Sequence, residues 1–81
     1  MREKISEVFL EVFKREVPET DPPALSDDLI LLESGLDSLG FAVLIVELEN
    51  RLGFDPFSLA NEAFYPRTFR EFVEFYEKHK P

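Results

Sequence analysis

The stretch Gly35-Leu36-Asp37-Ser38-Leu39-Gly40-Phe41-Ala42-Val43-Leu44-Ile45-Val46-Glu47-Leu48-Glu49-Asn50-Arg51-Leu52-Gly53 decides how this chain folds. It opens on a turn glycine and closes on a second glycine, and between them lies a continuous helical pattern. Asp37 or Ser38 is placed to cap the free amides of the first turn, since short oxygen-bearing side chains accept those hydrogen bonds well. Leu39, Ala42, Ile45, Val46, Leu48 and Leu52 supply the predicted apolar face. Arg51 sits in the last turn, where a cation complements the negative helix end. Gly53 fits a left-handed cap residue, and Pro56 follows soon after. About fifteen residues make a helix roughly 22 Å long. Gly40 costs such a helix about 1 kcal/mol relative to alanine, so a glycine beside Ser38 points to access at that residue.

Upstream, Arg2 to Glu16 places Ile5, Val8, Phe9, Val12 and Phe13 at steps of three and four, with Glu7, Glu11, Lys14 and Arg15 on the other side. That is one amphipathic helix. Pro18 ends it, because the residue before a proline is pushed out of helical geometry. Residues 18–35 then read as a long loop, punctuated by Pro22-Pro23, Ser26-Asp27-Asp28 and Ser34-Gly35. The run Leu29-Ile30-Leu31-Leu32 predicts that this loop packs on the core and contains a short helical turn. Downstream, a short third helix is predicted from Phe57 or Ser58 to Phe64, closed by Tyr65-Pro66. The last helix opens on Thr68-Phe69-Arg70-Glu71, a capping box. It presents Phe69, Phe72, Val73 and Tyr76 and ends near Lys78-His79-Lys80. No segment carries a strand signal or a repeat. The expected fold is all-α: a single domain over residues 1–81, built as a small four-helix bundle of three main helices and a short third, with a long connection between helices 1 and 2.

The bulk numbers restrict function. The chain has 81 residues, enough for one domain, and 44% of them are hydrophobic. Nine Lys and Arg against seventeen Asp and Glu give a net charge of −8, a surface that repels nucleic acid and anionic lipid. The longest apolar run, Phe41 to Val46, is too short to span a bilayer. The N-terminus lacks the pattern of a secretory signal. A cytoplasmic protein is therefore expected, with neither nucleic acid nor membrane as partner. Its start just before the first helix and its end just after the fourth read as a discrete protein. Without cysteine, and with His79 as the only histidine, no metal site is expected. His79 lies near the end of the chain, a poor place for a Ser-His-Asp arrangement. Glu47 and Glu49, two apart on a helix, do not face each other as a carboxylate pair. No catalytic residue is assigned, and Ser38 is left as the one chemical handle.

Gly35-Leu36-Asp37-Ser38-Leu39, followed by Leu48-Glu49 and Leu52-Gly53, resembles the acyl carrier protein family, whose members carry a Gly-x-Asp-Ser-Leu motif at the start of their second helix. The order of helices extends the resemblance over essentially the whole chain. It implies a covalent 4'-phosphopantetheine arm, delivered from coenzyme A to Ser38 by a phosphopantetheinyl transferase. Asp37 would assist that modification and Leu39 would contact partner enzymes. The protein itself would not be an enzyme. It would carry acyl or aminoacyl groups as thioesters on the arm, acting as a monomer and delivering them to synthases or acyl-loading ligases. The missing cysteine fits, because the working thiol comes with the arm. A phosphodiester at Ser38 would also sit at a helix N-terminus, where free amides and the helix dipole favour an anion.

One feature departs from the family. Carriers of fatty acid synthesis present acidic residues along this helix, whereas here Gly40 to Val46 carry no charge and the first acid is Glu47. Phe41, Val43 and Leu44 do not all fit one buried face, so docking through an apolar patch formed with Gly40, Phe41, Val43, Leu44 and Glu47 is expected; the alternative is that the long loop covers these side chains. The departure favours a specialised pathway, such as polyketide, peptide or modified-polysaccharide assembly or a carrier loaded by an adenylating ligase, over housekeeping fatty acid synthesis. Two readings from another class remain: an unmodified helical domain that binds proteins, and a carrier-like structural subunit.

Overall fold

The computed structural model describes residues 1–59 and 65–81. Its elements run α1 (Arg2–Glu16), a 3-10 turn (Leu31–Glu33), α2 (Ser38–Leu52), α3 (Pro56–Leu59) and α4 (Phe69–Lys78). This is the all-α bundle with a long first connection that the pattern predicts.

α1 follows its sequence closely. Ile5, Val8, Phe9, Val12 and Phe13 are all buried, as one stripe at steps of three and four must be when it meets a core. Val17 closes the helix with its amide on the Phe13 carbonyl, one residue before Pro18. The Phe9 ring is the hub of the aromatic packing: it stacks on Phe13 and meets Phe41 and Phe69 edge-on, with centroids 6.1–6.3 Å away.

α1 packs chiefly on α2, and the contact is bordered by ion pairs. Arg51 Nη2 lies 2.6 Å from Glu11 Oε2, and Arg15 Nη2 lies 3.9 Å from Glu47 Oε1. The earlier Glu11 meets the later Arg51 and the later Arg15 meets the earlier Glu47, so the two run antiparallel. The predicted core face of α2 needs correction. Gly40, Leu44 and Leu48 are its buried residues, whereas Leu39, Ala42 and Val46 are exposed and Ile45 and Leu52 half-buried. A helix apolar nearly all round lets periodicity fit several faces equally well, and contact with α1 selects one of them.

The long loop is pinned at several points. The Leu29 carbonyl accepts from the Phe69 amide at 2.9 Å and the Asp27 carbonyl from the Arg70 amide at 3.3 Å. The loop thereby satisfies two of the donors that every helix start leaves unpaired. The Leu31 amide donates to the Arg67 carbonyl at 2.9 Å, and Ile30 and Thr68 form one isolated antiparallel bridge, which no strand pattern in the sequence signals. Arg2 ties the same loop to α1: it pairs with Asp27, donates to the Leu25 carbonyl at 3.2 Å, and covers the Phe69 ring at 5.0 Å. Of the four apolar residues 29–32, Leu31 is buried, Leu29 and Ile30 are half-buried, and Leu32 faces solvent.

α3 begins at Pro56, earlier than predicted; proline is tolerated at a first helical position because no amide is needed there. Asp55 supports this start, its carboxylate accepting from the Phe57 amide at 2.9 Å and the Ser58 hydroxyl at 3.1 Å. The predicted continuation to Phe64 falls outside the described residues. The capping box of α4 forms, with the Thr68 hydroxyl accepting from the Glu71 amide and the Glu71 carboxylate accepting from the Thr68 amide. Those backbone bonds, from Thr68 first and Arg67 next, hold the Glu71 carboxyl below its ordinary pKa. Among the described residues, no helix is long and apolar enough to cross a membrane.

Candidate functional site

The segment that leads into α2 is held by three neighbouring contacts. Gly35 has φ +110°, and a Cβ there would lie 2.9 Å from the Phe13 ring, so both backbone conformation and space require glycine. Leu36, at 2% exposure, anchors the segment in the core. A Cβ on Gly40 would lie 2.8 Å from Leu36 Cδ2. Gly40 is therefore small so that Leu36 can pack against the first turn of α2, which replaces the expectation that it opens access to Ser38.

Asp37 is the residue that caps α2. Its Oδ1 accepts from the Gly40 amide at 2.8 Å, and its carbonyl accepts from Phe41 at 3.0 Å. The sequence leaves Asp37 and Ser38 as equal candidates for this role, and its assignment to Asp37 has a chemical consequence. Ser38 becomes the first residue of the helix, exposed to solvent, and among the described residues its hydroxyl has no hydrogen-bond partner. With Gly40 and Phe41 bonded, the Ser38 and Leu39 amides remain at the helix start to face an anion on that hydroxyl. The residues present thus suit a covalently attached phosphodiester.

The five residues read as a docking surface are distributed differently. Leu44 has 0% exposure and Gly40 is buried, so neither offers surface to a partner. Phe41 and Val43 are half-buried and pack on the core. Glu47 is half-buried and directed at two cations of its own chain, Arg15 at 3.9 Å and Arg51 at 3.8 Å. The exposed apolar side chains of α2 are instead Leu39 (69%), Ala42 and Val46 (56%). Their spacing of three and four places them on one face of α2. Of these, the sequence marks only Leu39 for partner contact, and only through the family resemblance. The missed signal is arithmetic: once 40, 44 and 48 are assigned to the core, 39, 42 and 46 must lie opposite.

Two other groups were not legible. Ser34 is buried at 6% exposure, with its hydroxyl donating to the Leu31 carbonyl at 2.6 Å. The Tyr76 hydroxyl is buried among Phe54, Phe57 and Phe72, without a hydrogen-bond partner among the described residues. Burial first, then the Asp55 and Glu49 carboxylates, raises the pKa of that phenol far above its ordinary value. His79 is engaged at the end of α4, with Nδ1 3.1 Å from the Phe75 carbonyl. Among the described residues, no three His, Asp or Glu side chains converge as a metal site.

Compared with known families, the chain matches the model described as the phosphopantetheine attachment site over residues 3–65. No curated protein and no solved structure matches it.

Proposed function

The chain belongs to the phosphopantetheine attachment-site family of carrier proteins, and from that premise we propose that Ser38 is the residue modified and that α2 docks partners through an apolar stripe. The family's cofactor is covalently attached 4'-phosphopantetheine, which supplies a terminal thiol able to carry acyl groups as thioesters. The chain's own part is to present one free hydroxyl at a helix start and a surface by which enzymes find it.

The observation that carries the assignment is the division of labour between Asp37 and Ser38. Asp37 takes the cap, so the Ser38 hydroxyl is not spent on the fold. In the transfer its oxygen bonds to the pantetheine-side phosphorus of coenzyme A. The pyrophosphate linkage breaks, adenosine bisphosphate leaves, and the hydroxyl proton passes to a base of the transferase. Asp37 aids this step by holding the helix start in place. No side chain of this chain is given a catalytic role, and the expected site of action is the cytoplasm.

Leu39, Ala42 and Val46 form the docking stripe, with the half-buried Val43 at its edge. Because Glu47 is engaged with Arg15 and Arg51, a partner meets an apolar surface nearest Ser38, with the exposed Glu49 only at the far end of the stripe. This favours a loading ligase or synthase of specialised biosynthesis, such as polyketide or peptide assembly, over the enzymes of housekeeping fatty acid synthesis. Incubation with coenzyme A and a broad-specificity transferase, followed by intact mass, is expected to show one added arm, absent from Ser38→Ala. Equal modification of that variant would falsify the assignment. Protein from its own host that never carries the arm, yet binds its partner equally well as Ser38→Ala, would favour the unmodified interaction domain instead.

A further inference from the structure

A second serine lies four residues before Ser38, and the two are opposites. Ser38 is exposed and unbonded, whereas Ser34 is, apart from the Tyr76 phenol, the one buried polar side chain among the described residues. Burying a hydroxyl is unfavourable unless it is hydrogen-bonded, and this one bonds on both sides. Oγ donates to the Leu31 carbonyl at 2.6 Å and accepts from the Leu36 amide at 3.4 Å. It therefore joins the 3-10 turn to the residue that wedges against Gly40.

The two bonds differ in what depends on them. The Leu31 carbonyl also accepts from the Ser34 amide at 3.1 Å, so it keeps a partner if the hydroxyl is removed. The Leu36 amide has no other partner among the described residues. Removing the hydroxyl therefore falls on Leu36, two residues before Ser38, while the Ser34 side chain is not itself one of the apolar groups that pack α1, α2 and α4 together. Resting on the reading of Ser38 as the modified residue, we infer that Ser34 is a positioning residue for that modification. Its hydroxyl fixes Leu36, Leu36 fixes the first turn of α2, and the Ser38 oxygen is thereby held where a transferase can align it with the phosphorus of coenzyme A.

The experiment measures the transfer kinetics of the full chain with coenzyme A and a broad-specificity transferase, beside amide hydrogen exchange. Ser34→Ala is expected to lower kcat by roughly tenfold, the scale of one lost hydrogen bond at an aligned reacting group. KM is expected to stay near wild type, because the stripe of Leu39, Ala42 and Val46 is untouched. The Leu36 and Gly40 amides, both hydrogen-bonded in the wild type, should exchange faster while those within α1 do not. Ser34→Thr, which keeps the hydroxyl, should retain the wild-type kcat. Val73→Ala, a core truncation in α4, controls for stability and should leave kcat unchanged. A wild-type kcat in Ser34→Ala overturns the inference, as does an equal loss in Ser34→Thr or in Val73→Ala. Wild-type protein that takes no arm overturns the Ser38 reading itself, and with it this inference. A modified wild type with an indifferent Ser34→Ala overturns the inference alone.

Discussion

α1 and α2 are both fifteen residues long and pack on each other, yet they use their apolar residues in opposite ways. α1 buries all five members of its stripe and shows solvent mainly charged side chains. α2 is much the more apolar helix but buries only Gly40, Leu44 and Leu48, leaving Leu39, Ala42 and Val46 in water. A helix that serves only the fold needs one apolar face. The second such face on α2 lies on the helix that starts at Ser38, and it is the surface proposed here to dock partners. The difference teaches that hydrophobicity beyond what a core requires is a functional signal when it is concentrated on one element.

Substitutions on either side of this divide can break or sharpen it. Phe9→Ala, at the aromatic hub of α1, should cost about 3–5 kcal/mol of stability, measured by urea unfolding. Leu44→Ala, on the core face of α2, should cost about 2–5 kcal/mol in the same measurement. A near-neutral Leu44→Ala would mean that the two faces of α2 have been assigned the wrong way round. Asp37→Ala should cost about 1 kcal/mol through loss of the cap, while Asp37→Asn, an equally good cap, should cost little. If instead both variants lose stability equally, the Asp37 charge rather than its geometry is what matters. Leu39→Ala and Val46→Ala should each stay within about 0.5 kcal/mol of wild type while weakening binding to a cognate loading enzyme or synthase. Because that contact is apolar, its affinity should change little with added salt, and a steep fall would restore the acidic mode of docking.

A control outside the pair is Tyr76. Its pKa is raised on folding, so its contribution is complete below the ordinary phenol value of about 10 and is lost as pH rises beyond it. Alkaline unfolding that begins above this pH should move upward in Tyr76→Phe. At neutral pH that variant should be no less stable than wild type, because it removes a buried hydroxyl that has no partner among the described residues.

What the sequence revealed follows the same contrast. α1 was legible to the residue because a single stripe admits a single orientation, and the Thr68–Glu71 capping box was legible because both partners lie within four residues. α2 was legible in its extent, from the cap at Asp37 to the left-handed Gly53 with φ +86°, but not in its orientation. That choice depends on α1, a partner distant in sequence. The ties from the loop to α4 and to Arg2 are hydrogen bonds of backbone groups and one long side chain, and such contacts leave no periodicity to read. Ser34 looked like a turn residue beside Gly35, and only its burial reveals its two bonds. At the proposed site, the sequence singles out Ser38 but not its freedom from capping, since Asp37 and Ser38 are equivalent cap formers until one of them is seen bonded.

The most direct test of the account is to locate the arm by peptide mapping. The wild-type protein, co-produced with a phosphopantetheinyl transferase, is digested and its peptides are sequenced by tandem mass spectrometry. The account predicts the added mass on Ser38 and on no other residue, with Ser34 unmodified. An arm on Ser34 or any other side chain, or none at all under conditions that fully modify a known carrier, would contradict it.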